Sequence, residues 1–183
     1  MIFETKRLQV RMATLADAPF YHQLWTNPEV MKNVGFPQGL PITQAEIEAQ
    51  IRREGDKLFG HLLIVLLKEG GERIGECKMH PVGENGIVET DVKLLPQYWG
   101  HKYGLEVKRA LVDYLFSHTE CIAVQATPNI KNIASIKMQE AVGGKRIREE
   151  VYEFPEAMQS YTATIRYYVY HVTRDAWLAQ KSE

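Results

Sequence analysis

Residues 87–117 constrain the fold of this chain more than any other stretch. They begin as an extended run with carboxylates at Glu89 and Asp91, pass through a turn with glycines at Gly100 and Gly104, and enter a helix. Strand, glycine turn and helix in that order point backbone N–H groups and a positive helix end at one place, where a phosphate binds well. The helix is predicted from an apolar face with a spacing of three, four, seven and eight residues, made by Val107, Ala110, Leu111, Tyr114 and Leu115.

The glycine turn matches neither of the common nucleotide-binding motifs. The chain lacks the GxxxxGK[ST] sequence of a P-loop, and GHKYG at residues 100–104 does not fit the dinucleotide fingerprint. Two glycines before a helix also occur in ordinary turns. The stretch alone therefore leaves both a phosphate site and a plain turn open.

Size and charge narrow the class of protein. With 183 residues, 45% of them hydrophobic and 25% charged, the chain suits one domain, residues 1–183, with a sizeable core. A formal net charge of -1 gives no basic field, so we expect no nucleic-acid partner. The apolar run at residues 62–67 is too short to cross a bilayer, and the charged, alternating start is unlike a signal peptide. We therefore expect a cytoplasmic protein with no membrane partner.

The cysteines and histidines show no metal-ligand spacing. Cys77 and Cys121 lie far apart in the sequence, and the six histidines are scattered. We expect two buried thiols in a reducing compartment and no metal.

Hydrophobic periodicity predicts the element order β-α-α-β-β-β-α-β-α-β-β with a short helical tail. Capping boxes begin helices at Thr14 and Thr43, and Asn132 is predicted to cap a later helix. The last strand is predicted at residues 161–173. The strand–helix–strand unit at residues 87–127 implies a parallel pair with a right-handed crossover, and the hairpins beside it imply antiparallel neighbours. We predict an α/β fold, a mixed and mostly antiparallel sheet with helices on both faces.

Five short motifs follow one another along the chain, at residues 4–11, 17–18, 27–31, 96–104 and 132–135. They read ETKRLQVR, DA, NPEVM, PQYWGHKYG and NIAS. In this order, and with the predicted strands and helices, they resemble GNAT-superfamily N-acetyltransferases of the branch named for RimJ and RimL. The resemblance covers nearly the whole chain.

The resemblance implies acetyl-CoA as the co-substrate and a GNAT-like fold. In that fold the strand of Glu89 and the strand at residues 122–127 splay apart, and the pantetheine arm of the donor enters the gap. The implied cofactor-binding residues are backbone groups of the strand end, the phosphate loop and one asparagine: Lys93, Leu94, Leu95, Trp99, Gly100, His101, Lys102, Tyr103, Gly104 and Asn132.

The resemblance also implies two catalytic residues for direct attack of an amine on the thioester. A lysine-like amine has a pKa of about 10.4 and is mostly protonated at neutral pH, so a general base is needed. Glu89 is the implied base, directly or through water, and Asp91 on the same sheet face is the weaker candidate. Ser135 is the implied hydrogen-bond donor to the leaving thiolate. Each also has a plain structural interpretation, as a polar strand end and as a first-turn helix serine.

Three positions depart from the family pattern. Lys102 replaces the central glycine of the phosphate loop, where a side chain either blocks the donor or contacts it. Gln139 stands where many members have a general-acid tyrosine, and Gly144 stands where the branch has phenylalanine. The acceptor groove of the family is expected near Trp25, Met31 and Phe36, although core packing is as good an interpretation of Trp25.

Three functions remain open at this point. The first is an N-acetyltransferase acting on a primary amine, either a protein N-terminus or a small molecule. The second, suggested by Lys102 and Gln139, is a non-catalytic acyl-CoA-binding protein with the same fold. The third, a nucleotide-binding module, lacks the phosphate motifs. The tyrosine-rich final strands are compatible with a monomer or a homodimer.

Overall fold

A computed structural model of the protein describes residues 1–55 and 57–181. Its strands form one eight-stranded sheet in the order β1-β2-β3-β4-β5-β6-β8-β7. The strands are β1 (Phe3–Glu4), β2 (Leu8–Met12), β3 (Leu63–Leu67), β4 (Arg73–Met79), β5 (Ile87–Leu94), β6 (Ala123–Ala126), β7 (Lys145–Tyr152) and β8 (Ile165–Thr173). Every neighbouring pair is antiparallel except β5 and β6, which run parallel. The predicted mixed, mostly antiparallel sheet is confirmed.

Helices cover both faces of the sheet, as predicted. They are α1 (Ala18–Trp25), α2 (Pro28–Met31), α3 (Gln44–Glu54), α4 (Tyr103–His118), α5 (Ile133–Ala141) and α6 (Arg174–Lys181). The first core cluster packs the buried stripe of α4, including Val107 and Leu111, against one sheet face. The second packs Leu24 of α1 and Ile47 of α3 against the other. Among the described residues, no helix is long and apolar enough to cross a bilayer.

The parallel pair β5–β6 separates soon after it forms. Ile87, Val88 and Glu89 pair with residues 123–125, and no described residue of β6 pairs with the rest of β5. We call the gap beyond Glu89 and Gln125 the split. The predicted parallel pair and its separation are therefore both present.

The first helical turns differ from the prediction. The capping box at Thr14 forms, because the Thr14 amide and hydroxyl both donate to Asp17 Oδ2, but residues 15–17 make a 3-10 turn and α1 begins only at Ala18. A short further helix, α2, begins at Pro28, and Asn27 caps it because Asn27 Oδ1 accepts from the Glu29 amide.

The last strand is shorter than predicted. Residues 161–164 lie outside β8, because local and loop contacts hold them instead of a partner strand. Thr162 Oγ1 donates to the Met158 carbonyl at 2.8 Å, and the Ala163 amide donates to the Gly35 carbonyl at 2.8 Å. Tyr161 therefore stacks near Phe36 on the connecting segment rather than extending the sheet. Both cysteines are free and buried, as expected.

Candidate active site

The open edge of β5 forms one wall of the split. The His80 amide donates to the Glu89 carbonyl, which fixes the alternation of the backbone along β5. The main-chain groups of Glu89, Asp91 and Lys93 consequently face β4, and those of Val92 and Leu94 face the split. The Leu94 carbonyl accepts from Trp99 Nε1 at 2.9 Å. Of the strand-end residues predicted to bind the donor, Leu94 thus faces the gap, whereas the main-chain groups of Lys93 and Leu95 face β4, where the Leu95 amide donates to the Ile74 carbonyl. Val92 faces the gap beside Leu94.

The N-terminus of α4 lies just beyond the C-terminal end of β5, which we call the top of the split. Lys102 occupies the N-cap position, and no side chain caps the helix there. The amides of Tyr103, Gly104 and Leu105 have no hydrogen-bond partner in the described residues. Gly100, at φ +81, has open space around the position of a Cβ atom. Free N–H groups at a helix start with room in front of them suit an anion.

Lys102 is the one non-glycine residue with positive φ in residues 1–55 and 57–181, at 63°. The left-handed conformation costs a residue with a Cβ atom about 1–2 kcal/mol. The loop has therefore kept the backbone shape that a glycine would adopt freely. The exposed Lys102 side chain lies beside a groove of about 440 Å³ along α4, which Arg7 and Arg109 also line.

A clamp made by the N-terminal segment holds the loop and α4 together. Glu106 in the first turn of α4 accepts hydrogen bonds from Thr5 Oγ1, the Arg7 amide and Arg7 Nε. The Arg7 guanidinium also donates to the His101 carbonyl at 3.1 Å and lies over the ring of Tyr103. The first sequence motif is thus tied to the phosphate loop, a contact that the sequence did not predict.

Glu89 lies at the vertex of the split, half-buried. Its Oε1 accepts from Thr127 Oγ1 at 2.9 Å, and Gln125 Nε2 lies 3.5 Å from its Oε2. Gln125 is oriented in turn by His171, whose Nε2 lies 2.9 Å from Gln125 Oε1. Two neutral partners therefore hold the carboxylate in place, and no cation pairs with it in the described residues.

The other two polar side chains on this face of β5 are already paired. Asp91 Oδ2 lies 3.0 Å from His80 Nε2. Burial raises the pKa of Asp91, but the hydrogen bond from His80 and the charge of Lys93 outweigh it and leave the pKa at about 2. Lys93 pairs with the buried Glu76 at 3.1 Å. Asp91 is therefore a weaker base than an ordinary carboxylate.

The predicted acceptor-groove residues divide into two kinds. Trp25 and Met31 are buried in the second core cluster, and Trp25 Nε1 donates to Glu76 at 2.8 Å. Core packing is thus the correct interpretation of Trp25. Phe36 is half-buried and contacts Phe154 and Tyr161, which come from the segment that connects β7 to β8. The aromatic side chains at this end of the sheet belong to two separate parts of the chain.

The start of α5 follows closely after β6. Asn132 Oδ1 accepts from the Ser135 amide at 3.1 Å, which confirms the predicted N-cap. Ser135 is half-buried in the first turn. Gln139 is buried with 4% of its surface exposed. A Cβ atom at Gly144 would lie 2.6 Å from the Gln139 carbonyl, so the close return of the chain explains why a glycine stands where the branch has phenylalanine.

Lys108 is buried on α4 with 1% exposure. Its Nζ donates to Thr90 Oγ1 at 2.5 Å, and Thr90 Oγ1 donates to the Gln125 carbonyl at 3.2 Å. Burial lowers the pKa of Lys108 to about 8, although the charges of Asp91 and Glu89 oppose that shift. The sequence analysis missed this residue, although a lysine between Val107 and Leu111 on an apolar helix stripe indicates a buried charge.

The family of the chain follows from comparison with known proteins. The family model described as "Acetyltransferase (GNAT) domain" matches residues 7–145. This chain belongs to the GNAT family. It is also similar to a Bacillus licheniformis protein named uncharacterized N-acetyltransferase p20, with 30% identity over 139 residues that cover 73% of this chain and 76% of the relative. The expectation of an acetyl-CoA-dependent N-acetyltransferase is confirmed.

Solved GNAT structures share the fold. Spermidine N-acetyltransferase from Vibrio cholerae, in complex with CoA and spermine, superposes with a TM-score of 0.77 at 17% identity, covering 95% of this chain and 99% of that one. Aminoglycoside acetyltransferase AAC(6')-Ib, in complex with CoA and kanamycin, gives 0.72 at 19% identity, covering 95% and 99%. At such low identity these structures support the GNAT fold and leave the acceptor of this chain open.

Proposed function

We propose that this GNAT protein transfers the acetyl group of acetyl-CoA to a primary amine of a small molecule, by direct attack of the amine on the thioester. The observation that carries the proposal is the arrangement along β5: free helix N–H groups at the top of the split and the Glu89 carboxylate at its vertex. A phosphate anchor and a base thus lie at the two ends of one gap.

The split fits the donor. The pyrophosphate would lie on the N–H groups at the start of α4, with Gly100 leaving room for it. The pantetheine amides would bond to the main-chain groups of Val92 and Leu94, which face the gap without a strand partner in the described residues. Asn132 would add a side-chain contact through its amide nitrogen, since its oxygen already caps α5. The donor then runs down β5 and brings its thioester end to Glu89.

Glu89 is the proposed base, because it lies at the vertex with only neutral partners among the described residues. Asp91 is two residues away, but its pairing with His80 and its lowered pKa of about 2 make it a poor proton acceptor. Ser135 would donate a hydrogen bond to the sulfur as the thiolate leaves. Gln139 has an amide that donates a hydrogen bond and holds no transferable proton near neutral pH.

A small acceptor agrees with the relatives whose structures hold spermine or kanamycin beside CoA. Protein N-termini are the acceptors that the RimJ/RimL resemblance implies, and they are the alternative outcome of the test. The sequence motifs support that branch, and the same acceptor panel tests it.

The test is release of CoA thiol over a panel of amines: a polyamine, an aminoglycoside and short peptides with free N-termini. We expect acetyl transfer to a small amine, and Glu89→Gln should lower turnover most near neutral pH and less at high pH, where free amine is plentiful. The control is Glu84→Gln, which changes an exposed carboxylate in the turn before β5. Turnover with peptides alone would favour the RimJ/RimL branch. CoA binding without turnover of any amine would favour the non-catalytic interpretation.

A further inference from the structure

Lys108 is a buried charge with no carboxylate in contact. Its Nζ bonds to the hydroxyl of Thr90, a neutral group, and no described acid lies within ion-pair distance. A buried ammonium without a charged partner costs several kcal/mol. Glu89 and Asp91, on the opposite face of β5, act on it only at longer range. A hydrophobic residue would fill this place on the apolar stripe of α4 at a lower cost in folding free energy.

The position of Lys108 is at the vertex of the split. Thr90 follows Glu89, the last residue of β5 that pairs with β6, and its hydroxyl also reaches the carbonyl of Gln125, where β6 leaves the pairing. Successive side chains of a strand point to opposite faces. Lys108 therefore approaches the vertex from the α4 face, and Glu89 lies on the other face.

The other side chains that the structure describes near this place on α4 are neutral. A Cβ atom at Gly104, one turn before Lys108 on the same helix, would lie 3.4 Å from Met138 Sδ of α5. The buried polar residue of α5 is Gln139, and β6 contributes Gln125. The charges that act on Lys108 are thus those of Glu89 and Asp91 on β5.

We propose that Lys108 places a positive charge at the thioester end of the donor, where it stabilises the negative charge that forms on the sulfur; this rests on the proposed function. The amine nitrogen bonds to the carbonyl carbon, and the bond from carbon to sulfur breaks with its electron pair on sulfur. The proton of the amine leaves through Glu89 to water. The products before release are the acetylated amine and a CoA thiolate beside the Lys108 ammonium, with Ser135 as a hydrogen-bond donor.

The charge of Lys108 would compensate for the general-acid tyrosine that many GNAT members have at the position of Gln139. A serine hydroxyl is a very weak acid, and Gln139 is an amide, so neither neutralises a thiolate by giving up a proton. A nearby cation lowers the pKa of the acid that it faces, by about 1–3 units at short range. The pKa of Lys108, lowered to about 8 by burial, keeps the side chain mostly charged at neutral pH.

The test measures the thiol of bound CoA rather than turnover. Ultraviolet absorbance of the thiolate is followed through a pH titration of CoA complexes with the parent protein, Lys108→Met and Lys137→Met, an exposed lysine on α5. In the parent and in Lys137→Met, the thiol pKa should lie about 1–3 units below that in Lys108→Met. Equal thiol pKa values in the parent and Lys108→Met would overturn the inference while leaving the proposed function intact. Failure of the parent to bind CoA would overturn both.

A second measurement uses the unaltered protein, in case Lys108→Met does not fold. The pKa of Lys108 is followed by carbon-13 NMR of labelled lysine, with CoA and with desulfo-CoA, which lacks the thiol. Because coupling between two groups is reciprocal, a thiolate beside the ammonium should raise the pKa of Lys108 with CoA and not with desulfo-CoA. The same pKa in both complexes would show a buried structural lysine.

Discussion

Arg7 Nε donates to Glu106 Oε2 at 2.7 Å, across 99 residues of sequence. The same carboxylate accepts from the Arg7 amide and from Thr5 Oγ1, and the guanidinium reaches on to the His101 carbonyl. The segment between β1 and β2 therefore holds both the phosphate loop and the first turn of α4. The acid also favours the helix start, whose dipole is positive there.

Glu106→Gln should loosen this clamp. The variant keeps an oxygen acceptor but loses the charge, so we expect a loss of about 1–2 kcal/mol in the free energy of unfolding near pH 7. Burial raises the pKa of Glu106, but hydrogen bonds from Thr5 and Arg7 outweigh it and leave the pKa below its usual value. The stabilisation is therefore complete above the unfolded pKa and disappears as the pH falls through the folded pKa. Urea unfolding near pH 7 and in acid checks this, and an unchanged difference in acid would contradict it.

The clamp shows what local sequence patterns leave out. Hydrophobic periodicity predicts β2 as a strand, because Leu8, Val10 and Met12 alternate with polar residues and a half-buried strand has a period of two. The contact from Thr5 and Arg7 to Glu106 depends on how distant elements meet, and no local pattern encodes it. The motif at residues 96–104 was predicted from the sequence, but the contacts that hold it against the N-terminal segment were not.

Asp17 is the buried centre of a second charged cluster. It is fully buried, and it accepts from Arg11 Nη1 at 2.7 Å and from Arg73 Nε at 2.7 Å. Burial raises the pKa of Asp17, but hydrogen bonds from Arg11, Arg73 and Thr14 leave it well below its usual value. This explains in physical terms why an aspartate stands at this point of the motif series.

Asp17→Asn should cost about 3 kcal/mol near pH 7, because it leaves two arginines without their carboxylate. This value is at the low end of the range for a broken buried pair, because water reaches the Arg11 and Arg73 side chains, which are 28% and 39% exposed. Since the folded pKa lies below the unfolded value of about 4, the difference from the parent should shrink as the pH falls below about 4. The matched control, Asp175→Asn, removes an exposed carboxylate on α6 and should change the unfolding midpoint little. A smaller effect for Asp17→Asn than for the control would contradict the assignment.

The candidate site was predictable in part. The parallel pair follows from the strand–helix–strand pattern, whereas its separation and the choice of Glu89 as the base are what the GNAT resemblance implied. The partners of Glu89 come from β6 and the residue after it, Thr127, and only the tertiary structure brings them together. Lys108 was missed because helical periodicity treats a lysine on the apolar stripe as an interruption, and only the tertiary structure places it beside Thr90 at the vertex of the split.

Gly100→Asp tests where the pyrophosphate binds. A side chain at Gly100 has open space, so the variant should fold with a loss of about 1 kcal/mol from its positive φ. The added negative charge should weaken CoA binding by about tenfold, or 1.4 kcal/mol, by calorimetry at low salt. Gly70→Asp is the matched control, because Gly70 also has φ +81 and open space but lies in the turn between β3 and β4. Equal CoA affinity for the two folded variants would place the pyrophosphate elsewhere.

Two variants at Lys102 separate the effect of backbone strain from the effect of the lysine charge. Replacing a left-handed residue that has a Cβ atom by glycine removes about 1–2 kcal/mol of strain. The same change lowers stability by about 0.4–1 kcal/mol, because glycine raises the conformational entropy of the unfolded chain. Lys102→Gly should therefore be more stable than the parent by about 1 kcal/mol or less, whereas Lys102→Ala keeps the strain and should match the parent. Urea unfolding of the three proteins measures this order directly.

The same pair of variants decides what the lysine does for the donor. We predict that its ammonium reaches a phosphate of CoA, an exposed contact of roughly 0.2–1 kcal/mol that strengthens if water is partly excluded. Lys102→Ala and Lys102→Gly should then both bind CoA several-fold more weakly at low salt, and the loss should shrink as salt screens the charge. Lys102→Arg keeps the charge and should bind CoA about as well as the parent. If Lys102→Gly binds CoA more tightly than the parent in calorimetry, the side chain obstructs the loop, and the non-catalytic interpretation gains support.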